Sequence, residues 1–399
     1  MNYLEKGQPG FIKASVALFF GGFVTFSNLY TTQPLLPIFS NEFRISASLT
    51  SLAVSLSTGI LAFMMLVAAS LSDRFGKKQV MEYSMILTSI LAILIPFSTN
   101  FSILLFLRAL LGVVAAGVPS LAMAYVADEF HPNSIGQVMG LYISGTSIGG
   151  LVGRLLTGVI TDMYSWRIAL LVIGVIAFIL SIIFIIILPK PKQEMNRSMS
   201  TKTVFQAYRI HLKNKPLFAL IVLGFFFMGS FVTLFNYIGF RLSEPPFSFS
   251  QAIIGTIFIV YLFGSFSSVY MGKKADLYGH ARILTLSVLL TVLGGVLTIS
   301  SSIAVIMIGI SIFTFGFFAC HSIASSWIGE RVSFHKAHAS SLYLLLYYLG
   351  SSLAGTIGGV FWSLFHWNGV ICFIGVLLLI SLPFIQFANH QYKEERFVS

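Results

Sequence analysis

Charge is the scarcest ingredient of this chain. Asp, Glu, Lys and Arg together make 9% of 399 residues, against 56% hydrophobic. A soluble domain carries about a quarter charged residues. The apolar residues come in unbroken runs of about twenty, the length that spans a bilayer core, and do not alternate with polar faces. A soluble fold and a disordered chain are both excluded. Acids are scarcest: the thirteen Asp and Glu lie at chain ends, in loops or at the edges of apolar runs. Glu82, Asp128, Glu129, Asp162 and Glu330 come nearest to the apolar interior, and none is central. Cysteine is nearly absent. Cys320 and Cys372 both sit inside apolar runs, so no disulfide framework is expected. No zinc spacing or phosphate-binding loop is visible, and His335 and His338 stand in a polar loop without an acid or cysteine beside them. An enzyme is therefore not expected, nor a cofactor or a metal. The polar start MNYLEKGQPG runs straight into a full-length apolar run, which is expected to serve as its own insertion signal.

What is present is a series of twelve apolar runs, near 14–39, 48–71, 80–98, 101–126, 136–161, 168–188, 216–240, 250–270, 281–300, 303–327, 336–362 and 368–390. The expected fold is an all-α integral membrane protein with twelve transmembrane helices in two six-helix bundles. The bundles are 1–189 and 216–399, joined by a basic linker at 190–215. The net charge of +11 fits membrane topology better than nucleic-acid binding. With both termini inside, nineteen of the 24 Lys and Arg fall in inner segments and three, Arg44, Arg167 and Arg241, in outer loops. Both termini are therefore expected in the cytoplasm.

The two halves repeat one another. F23-V-T25 and Asn28 return as F231-V-T233 and Asn236 at an offset of 208. Leu141-Tyr142, Gly149, Gly158, Trp166 and Gly174 return at an offset of 201, without a gap. The turn A69-S-L-S-D-R-F-G-K-K78 returns as G272-K-K-A-D-L-Y-G-H280, with Asp73 on Asp276 and Gly76 on Gly279, 203 residues apart. Parallel repeats of this kind imply two bundles that rock about a central path.

These residues resemble the major facilitator superfamily over the whole length. Its loop motif after the second span, G-x-L-a-D-R-x-G-R-K, appears with Ala69 for the first Gly and Lys77 for Arg. Its fourth-span motif appears as R108-A-L-L-G112. The antiporter motif G-P-x-x-G-G appears as G145-T-S-I-G-G150, with Thr146 in place of proline. L141-Y-I-S-G145, G229-S-F-V-T-L-F-N-Y-I-G239 and A324-S-S-W-I-G329 are similar to the drug- and sugar-efflux-like branch. The resemblance implies a secondary transporter of a bacterial plasma membrane, working as a monomer among lipids. It implies export of a small organic solute coupled to protons; an organic anion or sugar derivative bound by embedded arginines is the alternative.

Asp73, Arg74, Gly76, Lys77, Asp128 and Glu129 are expected to form a gate at the inner mouth, with Asp276 and Gly279 as the second copy. Asp73 is suited to accept from a helix N-terminus, for instance that of the eleventh span. Arg74, Lys77 and Lys78 can pair with Asp128 or Glu129, or act only as topology determinants. Gly145, Gly149, Gly150, Gly153 and Gly350 let helices approach closely, either against the other half or in ordinary packing. Arg108 and Arg154 lie inside spans, where a charge is costly. They either meet a substrate anion or are satisfied by backbone carbonyls and polar neighbours, and Arg154 can also reach outward to Asp162. His321 is a candidate proton carrier. Asn28, Tyr142, Asn236, Tyr347 and Tyr348 complete the expected cavity.

Overall fold

The computed structural model describes residues 3–191, 201–332 and 336–398. Eleven helices among them are long and apolar enough to cross a membrane. Ten are α1 (Pro9–Phe43), α2 (Ala47–Phe75), α3 (Lys77–Phe97), α4 (Phe101–Glu129), α5 (Pro132–Met163), α6 (Trp166–Ile187), α7 (Lys215–Ser243), α8 (Gln251–Tyr278), α9 (His280–Leu297) and α10 (Ile303–Arg331). The eleventh, His338–Gln391, is too long for one crossing at 54 residues. It belongs to a helix, Lys336–Val398, interrupted at His366, whose φ of 50° and ψ of −144° are not helical. The interruption makes α11 (336–365) and α12 (367–398), so twelve helices of spanning length lie among the described residues. The basic linker carries a further helix, Thr201–Lys213, whose Tyr208 hydroxyl lies 3.2 Å from that of Ser341.

Helix ends follow the residues placed at them. Asn100, Ser165 and Asn214 precede α4, α6 and α7, and their side chains accept from the backbone N–H groups of Ile103, Ile168 and Leu217. Within α1 the α-helix stops at Tyr30 and continues as a 3-10 turn, Gln33–Leu35. Pro34 cannot donate to the turn before it, so the ladder breaks there. Large apolar side chains such as Phe63, Phe106, Ile186, Phe266 and Leu277 are exposed. A lipid environment accounts for them, because every helix satisfies its own backbone and hydrocarbon welcomes the side chains.

The chain forms two compact units. The first comprises Met1–Arg44, Leu52–Ser198 and Phe249–Phe258. Its core includes Phe11, Leu18, Met81, Leu121, Tyr125 and Phe184. Here α1 packs along α5: a Cβ on Gly145 would come within 2.2 Å of the Phe19 carbonyl oxygen, and one on Gly149 within 2.3 Å of that of Phe23. The second unit comprises Ile45–Ser51, Met199–Ser248 and Ile259–Ser399. There α7 packs along α11, and a Cβ on Gly350 would come within 2.2 Å of the Phe225 carbonyl oxygen. Both close approaches require glycine.

Each unit thus includes the first turns of a span from the opposite half of the sequence. In the first, the Asp162 carboxylate at the end of α5 accepts from the backbone of Gln251 (2.9 Å) and Ala252 (3.0 Å) at the start of α8. Gly158 lies against the same turn. In the second, Ser48 at the start of α2 donates to the Thr356 carbonyl at 3.0 Å, and Gly359 lies against Ser48.

Candidate functional site

The surroundings of the two embedded arginines show how each buried charge is accommodated. Arg108 on α4 is 0% exposed. Its Nε donates to the Ala53 carbonyl on α2 at 2.5 Å, and its two Nη atoms donate to the carbonyls of Asn28 (2.7 Å) and Leu29 (2.5 Å) on α1. The last carbonyls of a helix lack intrahelical partners, and the α-helical part of α1 ends one residue after Leu29. Arg108 therefore caps a break in α1 and ties it to α2. Ser57 reciprocates by donating to the Arg108 carbonyl at 2.8 Å. Three carbonyl dipoles surround the charge, the arrangement of the backbone-satisfied alternative.

Arg154 on α5 is likewise enclosed. Nε donates to Gln33 Oε1 at 2.7 Å and Nη1 to the Gly150 carbonyl at 2.6 Å. The guanidinium lies 4.4 Å from the Tyr30 ring centre and 4.8 Å from that of Phe258. Cation–π contact of this kind favours a desolvated guanidinium. It does not turn outward to Asp162, whose carboxylate is engaged with α8. Asn28, whose carbonyl accepts from Arg108, is buried and its side chain donates to the Val24 carbonyl at 2.8 Å. Tyr142 is buried in the core of the same unit. The glycine-rich face of α5 packs mainly on α1 of its own unit, with Gly153 against Ser27 and Gly150 beside the Arg154 guanidinium. Of the two arrangements left open by the residues, this is packing within one half of the chain for Gly145, Gly149 and Gly153, and only Gly158, near the end of α5, lies against a helix of the other half.

In the second unit α10 and α11 build an aromatic cluster around His321. Its Nδ1 lies 2.9 Å from the Tyr343 hydroxyl, a hydrogen bond whose direction follows the imidazole tautomer. The His321 ring centre is 4.7 Å from that of Tyr347 and stacks on Phe317 at 6.3 Å. Phe317 in turn stacks on Phe231 at 3.8 Å, and Tyr347 meets Tyr348 edge-on at 5.3 Å. Asn236 is buried on α7, beside Tyr237, which donates to the Gly355 carbonyl at 2.7 Å. Tyr343 and Phe317 escaped the sequence reading. Their signal was the helical spacing of Tyr343 and Tyr347, and of Phe317 and His321, four residues apart.

The repeated turns lie between α2 and α3 and between α8 and α9. Gly76 has φ of 87° and Gly279 φ of 92°, a region that costs other residues strain. Lys77 forms an ion pair with Asp128. Lys78 pairs with Glu82 at 3.4 Å and donates to the Leu188 carbonyl at 2.5 Å. Glu129 is buried and Arg74 lies over the Phe75 ring. Asp73 is exposed, without an ion pair among the described residues. The helix start proposed for it, before Lys336, adjoins residues 333–335, outside the described residues. In the second copy Asp276 lies 3.8 Å from His280, and His280 lies 3.4 Å from Glu330.

Twelve membrane-crossing helices, a repeated glycine turn with charged flanks, and an embedded polar cluster in each unit are the attributes of a multi-pass membrane transporter. The family model of the Major Facilitator Superfamily matches residues 18–353 and 245–396. The chain is 45% identical over 382 residues to the MFS-type transporter YybF of Bacillus subtilis (strain 168), covering 96% of this chain and 95% of that one. It is 44% identical to the inner membrane transport protein YnfM of Escherichia coli (strain K12), covering 96% and 91%. A bacterial homologue of the human lysosomal transporter Spinster shares the fold, with a TM-score of 0.81 at 15% identity over 98% of this chain and 99% of that one. The chain belongs to the Major Facilitator Superfamily.

Proposed function

We propose that the protein exports a small, moderately apolar organic solute across a bacterial plasma membrane, drawing on an inward proton gradient. In this reading residues 1–189 and 216–399 rock as two bundles, the linker and both termini lie in the cytoplasm, and one chain suffices. The observation that carries the proposal is the aromatic cluster around His321. Its hydrogen bond to Tyr343 gives an imidazole, which ordinarily titrates near neutral pH, a defined proton partner inside the membrane. Stacked rings around it suit an apolar or aromatic ligand. The enclosure of Arg108 and Arg154 speaks against the organic-anion alternative, since neither guanidinium has an uncovered face to offer.

The glycine turns support gating at the inner mouth, with the Lys77–Asp128 pair bracing the first copy. The test is uptake of amphipathic dyes into inverted membrane vesicles carrying an imposed pH gradient. His321→Gln is expected to keep dye binding and lose the pH dependence of uptake. Retained pH dependence would remove His321 from the proton path.

A further inference from the structure

The second copy of the glycine turn differs from the first in chemistry. In the first, Lys77 follows Gly76 and pairs with Asp128, the penultimate residue of α4. In the second, His280 follows Gly279 and faces Glu330, the penultimate residue of α10. An ammonium with a fixed charge is thus replaced by an imidazole, while the carboxylates remain. Asp276 adds another carboxylate at the same point.

Among the described residues Asp276 and Glu330 have no ion pair with a lysine or arginine. Of the cations nearby, Lys274 lies over the rings of Tyr270 and Tyr278, and Arg331 donates to the Ala388 carbonyl. The Nε2 atom of His280 is shielded from solvent and makes no hydrogen bond, although both carboxylates flank it. The His280 ring is held by stacking on Trp327, centres 5.8 Å apart at 18°. One ligand atom from each of the three residues falls within 4.8 Å of the other two.

We propose that Asp276, His280 and Glu330 bind a divalent transition-metal ion of the manganese-to-zinc series. Such ions hold ligands at about 2.0–2.2 Å, which sets neighbouring ligand atoms roughly 3–3.6 Å apart. The observed 3.4 Å between His280 and Glu330 falls in that range, and the 3.8 Å to Asp276 closes with a small side-chain adjustment. Imidazole nitrogen favours transition metals over magnesium or calcium, which prefer oxygen donors. The exposed sides of the carboxylates, 66% for Asp276 and 55% for Glu330, leave room for water to complete the coordination. The ion supplies the charge that Lys77 supplies in the first copy. It fastens the α8–α9 turn to the end of α10.

Trp327 reports on the site. The full chain, purified in detergent without a polyhistidine tag, is titrated with Co2+ while tryptophan fluorescence is followed. Saturable quenching is expected, lost in Trp327→Phe, unmoved by equal Mg2+, and displaced by Zn2+. Glu330→Gln and Asp276→Asn, which alter exposed side chains, are expected to weaken the midpoint at least tenfold while the protein stays monodisperse. His280→Asn is expected to abolish the saturable phase. Equal quenching in the wild type and in Glu330→Gln, or quenching that persists in Trp327→Phe, would overturn the proposal and assign the metal to other histidines.

Discussion

Arg108→Ala separates a structural arginine from a substrate clamp. The substitution removes three charge-assisted hydrogen bonds, to the carbonyls of Ala53, Asn28 and Leu29. Hydrogen bonds to charged groups contribute about 1.5–3 kcal/mol each, a gross loss of roughly 4–9 kcal/mol. Against this stands the relief of desolvating a buried ion, several kcal/mol. A net destabilisation of about 3 kcal/mol is a reasonable centre, because the three carbonyls are then left buried without a donor and the side-chain volume is left empty. At about 2–4 °C per kcal/mol for domains of this size, the apparent Tm in detergent should fall by roughly 6–12 °C. Arg108→Lys should recover little of it, since one ammonium cannot reproduce a planar fork aimed at two helices. The assay is the loss of the monodisperse chromatographic peak after heating, followed with and without transported dye. A Tm within a degree or two of wild type, combined with lost transport, would refute the structural reading and return Arg108 to the substrate.

Three further outcomes are expected. Gly145→Val should sharply reduce the yield of folded protein, because even a Cβ there meets the Phe19 carbonyl oxygen at 2.2 Å, whereas Gly140→Ala, with nothing within 4 Å, should express normally. Membrane yield by in-gel fluorescence measures both. Asp73→Asn should reduce transport severalfold with an unchanged Tm, because the exposed carboxylate makes no ion pair among the described residues that folding would lose. Wild-type flux in that variant would remove Asp73 from the gate. Tyr343→Phe should shift the midpoint of the pH dependence that His321→Gln abolishes, since it removes the hydroxyl bonded to Nδ1; an unshifted profile would detach Tyr343 from proton transfer.

Much of this protein is readable as text because the bilayer imposes a one-dimensional rule. Every spanning segment must be a helix of about twenty apolar residues, so hydropathy alone yields the number and approximate limits of the spans. The internal repeat and the loop motifs then point to the family, and the glycines at 76 and 279 announce turns that only a residue without Cβ adopts cheaply. The type of each candidate residue was equally legible: an arginine inside a span is conspicuous wherever it points.

Its partners were not, because they are backbone atoms or residues far along the chain. Arg108 is satisfied by carbonyls freed where α1 breaks, and carbonyls carry no sequence signature. The glycines of α5 could not declare which neighbour they admit until α1 lay against them. The first turns of α2 and α8 join units formed largely by the opposite half of the chain, a crossing invisible to a repeat that aligns each half with itself. Fifty residues separate His280 from Glu330, and only the packing of α10 against the turn after α8 sets them 3.4 Å apart. Hydropathy acts on each segment independently and is written along the chain, whereas a hydrogen bond or a ligand set needs two or three segments at fixed distances, which packing alone decides.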